Sequence, residues 1–99
     1  MFVKLIKLNQ RQRKGETEYY LSEVSVNVKQ ISYISENYQY KKMLSEGKLS
    51  MELNTNTNFT DLELNTNQTI TVIGTPSVIE SKIMTKANKQ LLKGSVNIV

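Results

Sequence analysis

Lys82, Lys86, Lys89 and Lys93 recur every three or four residues, on the side of a predicted helix away from Ile79, Ile83, Ala87 and Leu91. An α-helix turns once in about 3.6 residues, so this spacing lines the ammonium groups into one stripe that could follow a phosphate backbone. The same stripe also reads as a solvated face, with its last lysines complementing the helix dipole. A second basic group, Arg11, Arg13 and Lys14, stands near Tyr19 and Tyr20, a set able to hold phosphates and stack a base. Its plainer reading is a charged hairpin tip with the tyrosines packed on a sheet. These seven cations are the candidate nucleic-acid contacts, and the reading gains weight if both groups share a surface.

Acid–base chemistry has one candidate. Glu52 and Glu63 hold matched places in a pentapeptide, Glu-Leu-Asn-Thr-Asn, that occurs twice eleven residues apart. Facing each other across paired strands, they would raise one pKa, as an acid–base couple requires. No nucleophile, metal motif or glycine-rich phosphate loop accompanies them, so the expectation is a protein that is not an enzyme. Composition narrows the chemistry further. The chain has no His, no Cys and no Trp, which removes imidazole and thiolate metal sites, Cys or His nucleophiles and disulfides. No cofactor or metal is expected.

Ninety-nine residues suggest a single domain, 1–99, with one small core, and a net charge of +4 permits weak attraction to polyanions. Lys4 and Lys7 interrupt the apolar run at the start, and no apolar stretch nears the roughly 20 residues of a membrane helix. The expectation is a soluble, cytoplasmic protein with no membrane partner. Two sequons, Asn58-Phe59-Thr60 and Asn67-Gln68-Thr69, then read as turn residues rather than sugar sites.

The elements that must position these groups follow from periodicity. Phe2–Leu8 alternates apolar and basic residues like a strand with one wet face, and the polar run Asn9–Thr17 reads as a hairpin loop. Tyr19–Asn27 is a strand with Tyr20, Val24, Val26 and Val28 in phase, and a phase change near Asn27–Gln30 predicts a kink or bulge before a strand at Gln30–Ser35. Tyr38–Glu46 has helix formers followed by Gly47, which suggests one or two helical turns with a left-handed cap. Strands are expected at Leu49–Leu53, Phe59–Leu64 and Thr69–Ile73. Each copy of the pentapeptide either ends a strand in an Asn-rich turn or belongs to a flexible tip. Thr75-Pro76 supplies an N-cap and a first-turn proline for a helix over Pro76–Lys93, with Gly94 at its C-cap position. The apolar Val96, Ile98 and Val99 favour docking of the tail, on this chain or on a partner.

The order of Val26-Asn27-Val28-Lys29-Gln30-Ile31-Ser32-Tyr33-Ile34, then Leu62–Ile73, then Val78-Ile79-Glu80-Ser81-Lys82-Ile83, resembles the small FlbD-like flagellar proteins and similar short proteins of phages and prophages. The resemblance spans about half the chain. It implies a small, partly open β-barrel or curled sheet and a binding role, with no catalytic residues to carry over. This chain departs from it by an insertion over Glu36–Thr60 and by Asn65-Thr66-Asn67 where a hairpin glycine is usual.

The expected fold is therefore α+β: a curled antiparallel sheet or small partly open barrel (1–74, with a variable insertion at 36–60) closed by one C-terminal helix (75–94), then a tail (95–99). Its core is expected to comprise Val3, Leu5, Val24, Val26, Ile31, Leu62, Leu64, Ile70, Val72, Ile79, Ile83 and Leu91. Open sheet edges in so small a domain predict a homo-oligomer. The expected function is that of a non-catalytic accessory protein of phage or prophage type that binds a host or phage protein. The alternatives are a nucleic-acid-binding module with a basic helix face and a self-assembling structural subunit.

Overall fold

Two long strands form the first hairpin. In the computed structural model, which describes residues 1–49 and 51–94 with side chains through 85, β1 (Phe2–Arg13) and β2 (Glu16–Asn27) pair antiparallel without interruption, from Phe2 opposite Asn27 to Arg13 opposite Glu16. The two residues between them, Lys14 (φ 52°) and Gly15 (φ 81°), are both left-handed, as in a type I′ turn whose twist matches its strands. The run Asn9–Thr17 is thus strand on either side of a two-residue turn, not a loop. Cross-strand chemistry replaces apolar alternation there: Arg11 Nε donates to Glu18 Oε2 at 2.9 Å, Gln12 Nε2 to Thr17 Oγ1 at 2.8 Å, and Asn9 Nδ2 to Ser22 Oγ at 2.7 Å.

Lysine is a poor occupant of a left-handed position, whereas asparagine tolerates it. Lys14→Asn is therefore expected to stabilise the hairpin tip by up to about 1 kcal/mol, slowing amide exchange over residues 10–19 by up to about fivefold. Exchange at the wild-type rate or faster would show that the turn is not under this strain.

β3 (Ile31–Glu36), β4 (Phe59–Leu64) and β5 (Thr69–Ile73) complete an antiparallel sheet of order β2-β1-β5-β4-β3. β2 and β3 lie at opposite edges, yet only the 3-10 turn Val28–Gln30 joins them. A flat sheet of five strands is roughly 19 Å across from edge to edge, and the four residue steps from Asn27 to Ile31 reach at most about 14 Å. The sheet must curl. It stops short of a barrel, because β2 and β3 share no ladder. The Met1 carbonyl accepts from Val28 N at 3.0 Å, which pins the corner. The predicted kink is this turn, and the register slips once more between Ile31 and Tyr33.

The curl separates two cores. Directly opposed residues share a face, so Val3 with Val26, Leu5 with Val24, and Leu62 with Ile34 and Ile70 all point to the concave side. There Val3, Leu5, Val26, Leu62, Ile70 and Val72 are buried with Ile79 of α2 (Pro76–Gly94), as expected, and Val24, Ile31, Leu64 and Ile83 pack partly buried around them. The side chain of Leu91, also expected in this core, lies outside those described. Thr75 starts α2 as predicted: its Oγ1 accepts from Val78 N at 3.2 Å and its carbonyl from Ile79 N at 3.0 Å.

The other face carries a core that periodicity does not announce. Leu8, Leu44, Leu49 and Phe59 are buried there, with Tyr19, Tyr40, Met43, Met51, Leu53 and Ile73 around them. α1 (Tyr38–Ser45) and the segment after it cover this face, so the insertion at 36–60 builds a second layer. Asn37 caps α1: its Oδ1 accepts from Tyr40 N at 3.0 Å, while its own N donates to the Phe59 carbonyl at 2.8 Å. Gly47 takes the left-handed cap predicted for it, at φ 70°.

The expected strand at Leu49–Leu53 is irregular in its described residues, and Leu53 N folds back on the Met51 carbonyl at 3.1 Å. This segment lies over the sheet face, where Leu49, Met51 and Leu53 pack inward, and joins no ladder. The fold is α+β as expected, and the one or two helical turns expected at Tyr38–Glu46 are α1. The tail at 95–99, with its docking expectation, lies outside the described residues.

Candidate functional site

β1 pairs with β5 only at Lys7 and Leu8. Beyond that seam the hairpin continues as a two-stranded arm of five residue pairs, Asn9 opposite Tyr20 through Arg13 opposite Glu16, with no neighbour strand on either side. Residues 10–17 are all exposed.

This arm holds three of the seven candidate cations. Arg11 is hydrogen-bonded to Glu18, and Arg13 Nη1 lies 3.9 Å from the other oxygen of the same carboxylate. Arg11 also stacks over the Tyr20 ring, 4.9 Å from its centroid. The two tyrosines do not act together. Tyr20 follows Arg11 on one face, while Tyr19 turns to the other and meets Tyr40 edge-on at 6.1 Å. Alternation along a strand dictates this split.

Lys82 is elsewhere. It lines a cleft of about 550 Å³ between α2 and the start of the first hairpin, with Phe2, Lys4, Ser25, Ser81 and Thr85. Lys4 and Arg11 are seven residues apart on β1, roughly 23 Å at about 3.3 Å per residue. The structure therefore places Lys82 and the arm at opposite ends of one hairpin. The side chains of Lys86, Lys89 and Lys93 lie outside those described.

Nor do the two glutamates meet. Glu63 sits on β4 opposite Tyr33 and Thr69, while Glu52 lies outside any strand. Both pentapeptide copies do end in asparagine turns: Asn56 N donates to Asn54 Oδ1 at 2.9 Å, and Asn67 (φ 66°) donates from N to the Leu64 carbonyl at 2.9 Å. Only the second copy leaves a strand. No three acidic residues converge as metal ligands among the described residues, and no helix there is long and apolar enough to cross a membrane.

One polar cluster escaped the motif search. Asp61 Oδ1 accepts from the Thr71 hydroxyl at 2.6 Å, and both its oxygens accept from Asn37 Nδ2 at 3.1 Å. It ties the cap of α1 to β4 and β5, beside half-buried Tyr40. Burial, and then the neighbouring Tyr19 and Asp61, push the Tyr40 phenol above its ordinary 10.0. A raised folded-state value contributes stability that is complete below the unfolded value and is lost as pH rises through the folded one. Wild type should therefore lose stability more steeply than Tyr40→Phe between about pH 9 and about pH 11, read from urea midpoints. Parallel curves would exclude this role for Tyr40.

Asp61 bonds the cap residue of α1 and a residue of β5, so the cluster is an anchor for α1. The arm sets a basic strand (Arg11, Arg13) beside an acidic one (Glu16, Glu18) at the surface. No family model, curated protein or solved structure matches the chain.

Proposed function

We propose that this chain is a non-catalytic binding protein that works through protein–protein contacts, with the β1–β2 arm as its contact surface. The observation that carries this reading is the five residue pairs standing clear of the sheet with both edges unpaired. Unpaired strand edges are templates for another strand, and natural proteins usually cover, shorten or bulge them. Here the free edge of β1 in the arm is five residues long and unbulged, and charge at Arg11, Arg13, Glu16 and Glu18 is what guards the arm. The phage or prophage accessory role implied by the family resemblance, and an intracellular location, belong to the same proposal. The nucleic-acid alternative draws less support, since Lys82 and the arm are at opposite ends of the hairpin and Arg11 is engaged by Glu18 and Tyr20.

A shortened arm tests the reading. Removing Gln12, Arg13, Glu16 and Thr17 returns the Lys14-Gly15 turn to Arg11 opposite Glu18, a pair of the same hydrogen-bonding class, and leaves Tyr19 in the second core. Tagged wild-type chain is expected to retain one protein in stoichiometric amount from lysate of its source supplemented with untagged chain, and the shortened chain is expected to lose it. The same proteins on both baits, or none on either, would overturn the reading.

A further inference from the structure

The end of the first hairpin away from the arm has a second open edge. Among the described residues β1 meets β5 only at Lys7 and Leu8, so the start of β1 has no neighbour strand on the side away from β2. A two-residue turn makes its flanking pair exchange both ladder bonds, so Arg13 and Glu16 bond each other, and the direction of the ladder groups alternates from there. Odd-numbered residues of this hairpin's first half then face β2, and even-numbered ones face away. The bond from Val28 N to the Met1 carbonyl, on the β2 side, agrees with that alternation. The backbone N–H and C=O groups of Phe2 and Lys4 therefore point away from β2. Both residues line the cleft of about 550 Å³ whose other wall is Ser81, Lys82 and Thr85 of α2.

We propose that this cleft binds an extended acidic peptide segment of a partner protein, added antiparallel to β1 as a further strand between β1 and α2. This is a second site, independent of the arm. At roughly 3.3 Å along a strand, 4.8 Å between strands and 10 Å between packed layers, one strand residue fills about 160 Å³. A cleft of about 550 Å³ holds three. Set opposite Phe2, Val3 and Lys4, the outer two exchange backbone bonds with Phe2 and Lys4, and the middle one places its side chain on the face of Val3. Main-chain bonds to an open edge supply affinity, and the side chains beside it supply preference. Here that preference is for negative charge. Lys4 and Lys82 line the cleft, and none of the described residues lining it is acidic. Lys82 has no ion pair among the described residues, and Lys4 has only an exposed one, 3.8 Å from Glu23. The matching segment alternates, with carboxylates on the face of Lys4 and an aliphatic residue on the face of Val3.

The probe is a fluorescein-labelled five-residue peptide of alternating glutamate and valine, titrated with purified chain and read by fluorescence anisotropy. Saturable binding is expected at low salt, weakening as salt rises, and a peptide with lysine in place of glutamate should not bind. N-methylation of the glutamate amides removes the donors that meet Phe2 and Lys4 and should abolish binding, whereas N-methylation of the valine amides, which face away from β1, should cost far less. Lys82→Glu, at an exposed position, should weaken binding by about fivefold or more. The chain with the shortened arm should bind as wild type does. No binding at up to about 1 mM chain overturns the proposal, as does equal binding of the two methylated peptides, of the lysine peptide and its parent, or of Lys82→Glu and wild type. Loss of the peptide on shortening the arm would place it on the arm and overturns the proposal too. The retention of a lysate protein by the arm stands or falls separately, because the titration contains purified chain and peptide alone.

Discussion

Phe59→Ala is expected to cost about 3–5 kcal/mol, a large share of the roughly 5–15 kcal/mol that holds a domain together. Phe59 is fully buried at the centre of the second core, its ring 5.9 Å from that of Tyr40. Its carbonyl also holds the Asn37 amide at the start of α1, so the cavity opens where sheet, helix and the segment at 49–53 meet. Urea unfolding would read the loss as a lower midpoint at an unchanged slope. A cost below about 1 kcal/mol would mean that α1 and its following segment are not packed on this face.

Ile79→Ala tests the opposite face and is expected to cost about 2–5 kcal/mol. Ile79 is fully buried among Val3, Leu5, Val26, Leu62, Ile70 and Val72, one turn into α2. Its Cδ1 would lie 3.3 Å from a Cβ placed at Gly74, whose φ of 124° brings the chain from β5 into α2 at close range. The same substitution at Val78, which is exposed on the neighbouring position, should stay within about 0.5 kcal/mol. If both variants behave alike, α2 is not docked through Ile79.

The concave core was legible because its residues alternate strictly within strands and recur every four residues in α2, leaving one arrangement that buries both phases. The second core has no such rhythm. Leu8, Leu44, Leu49 and Phe59 come from four separate segments, and one apolar residue per segment leaves no period to detect. The arm was hidden for the opposite reason: with no core face on either side, Asn9–Arg13 and Glu16–Thr17 had no cause to alternate apolar and polar residues, and their pairing shows only as Arg11 matched to Glu18 and Gln12 to Thr17 across a turn. The repeated pentapeptide marks the limit of local reading. Leu64 of the second copy is held opposite Ile31 at the end of a ladder, while Leu53 of the first drops onto the second core. Among the candidate contacts, the sequence identifies the cations but not that Lys82 and the arm would be at opposite ends of one hairpin.

The seam between β1 and β5, only Lys7 and Leu8 against Val72 and Thr71, sets the order in which the molecule assembles. The β1–β2 and β4–β5 hairpins close between near neighbours, whereas the seam joins residues more than 60 positions apart in the chain. Its loop-closure entropy is met before its two pairs give anything back. The rate-limiting barrier to folding should therefore come as the two hairpins are brought together along the seam, with the ladder pairs inside each hairpin formed first. The same narrowness makes the seam the first ladder to part in the native state, freeing the first hairpin as a unit while its own twelve-residue strands stay zipped.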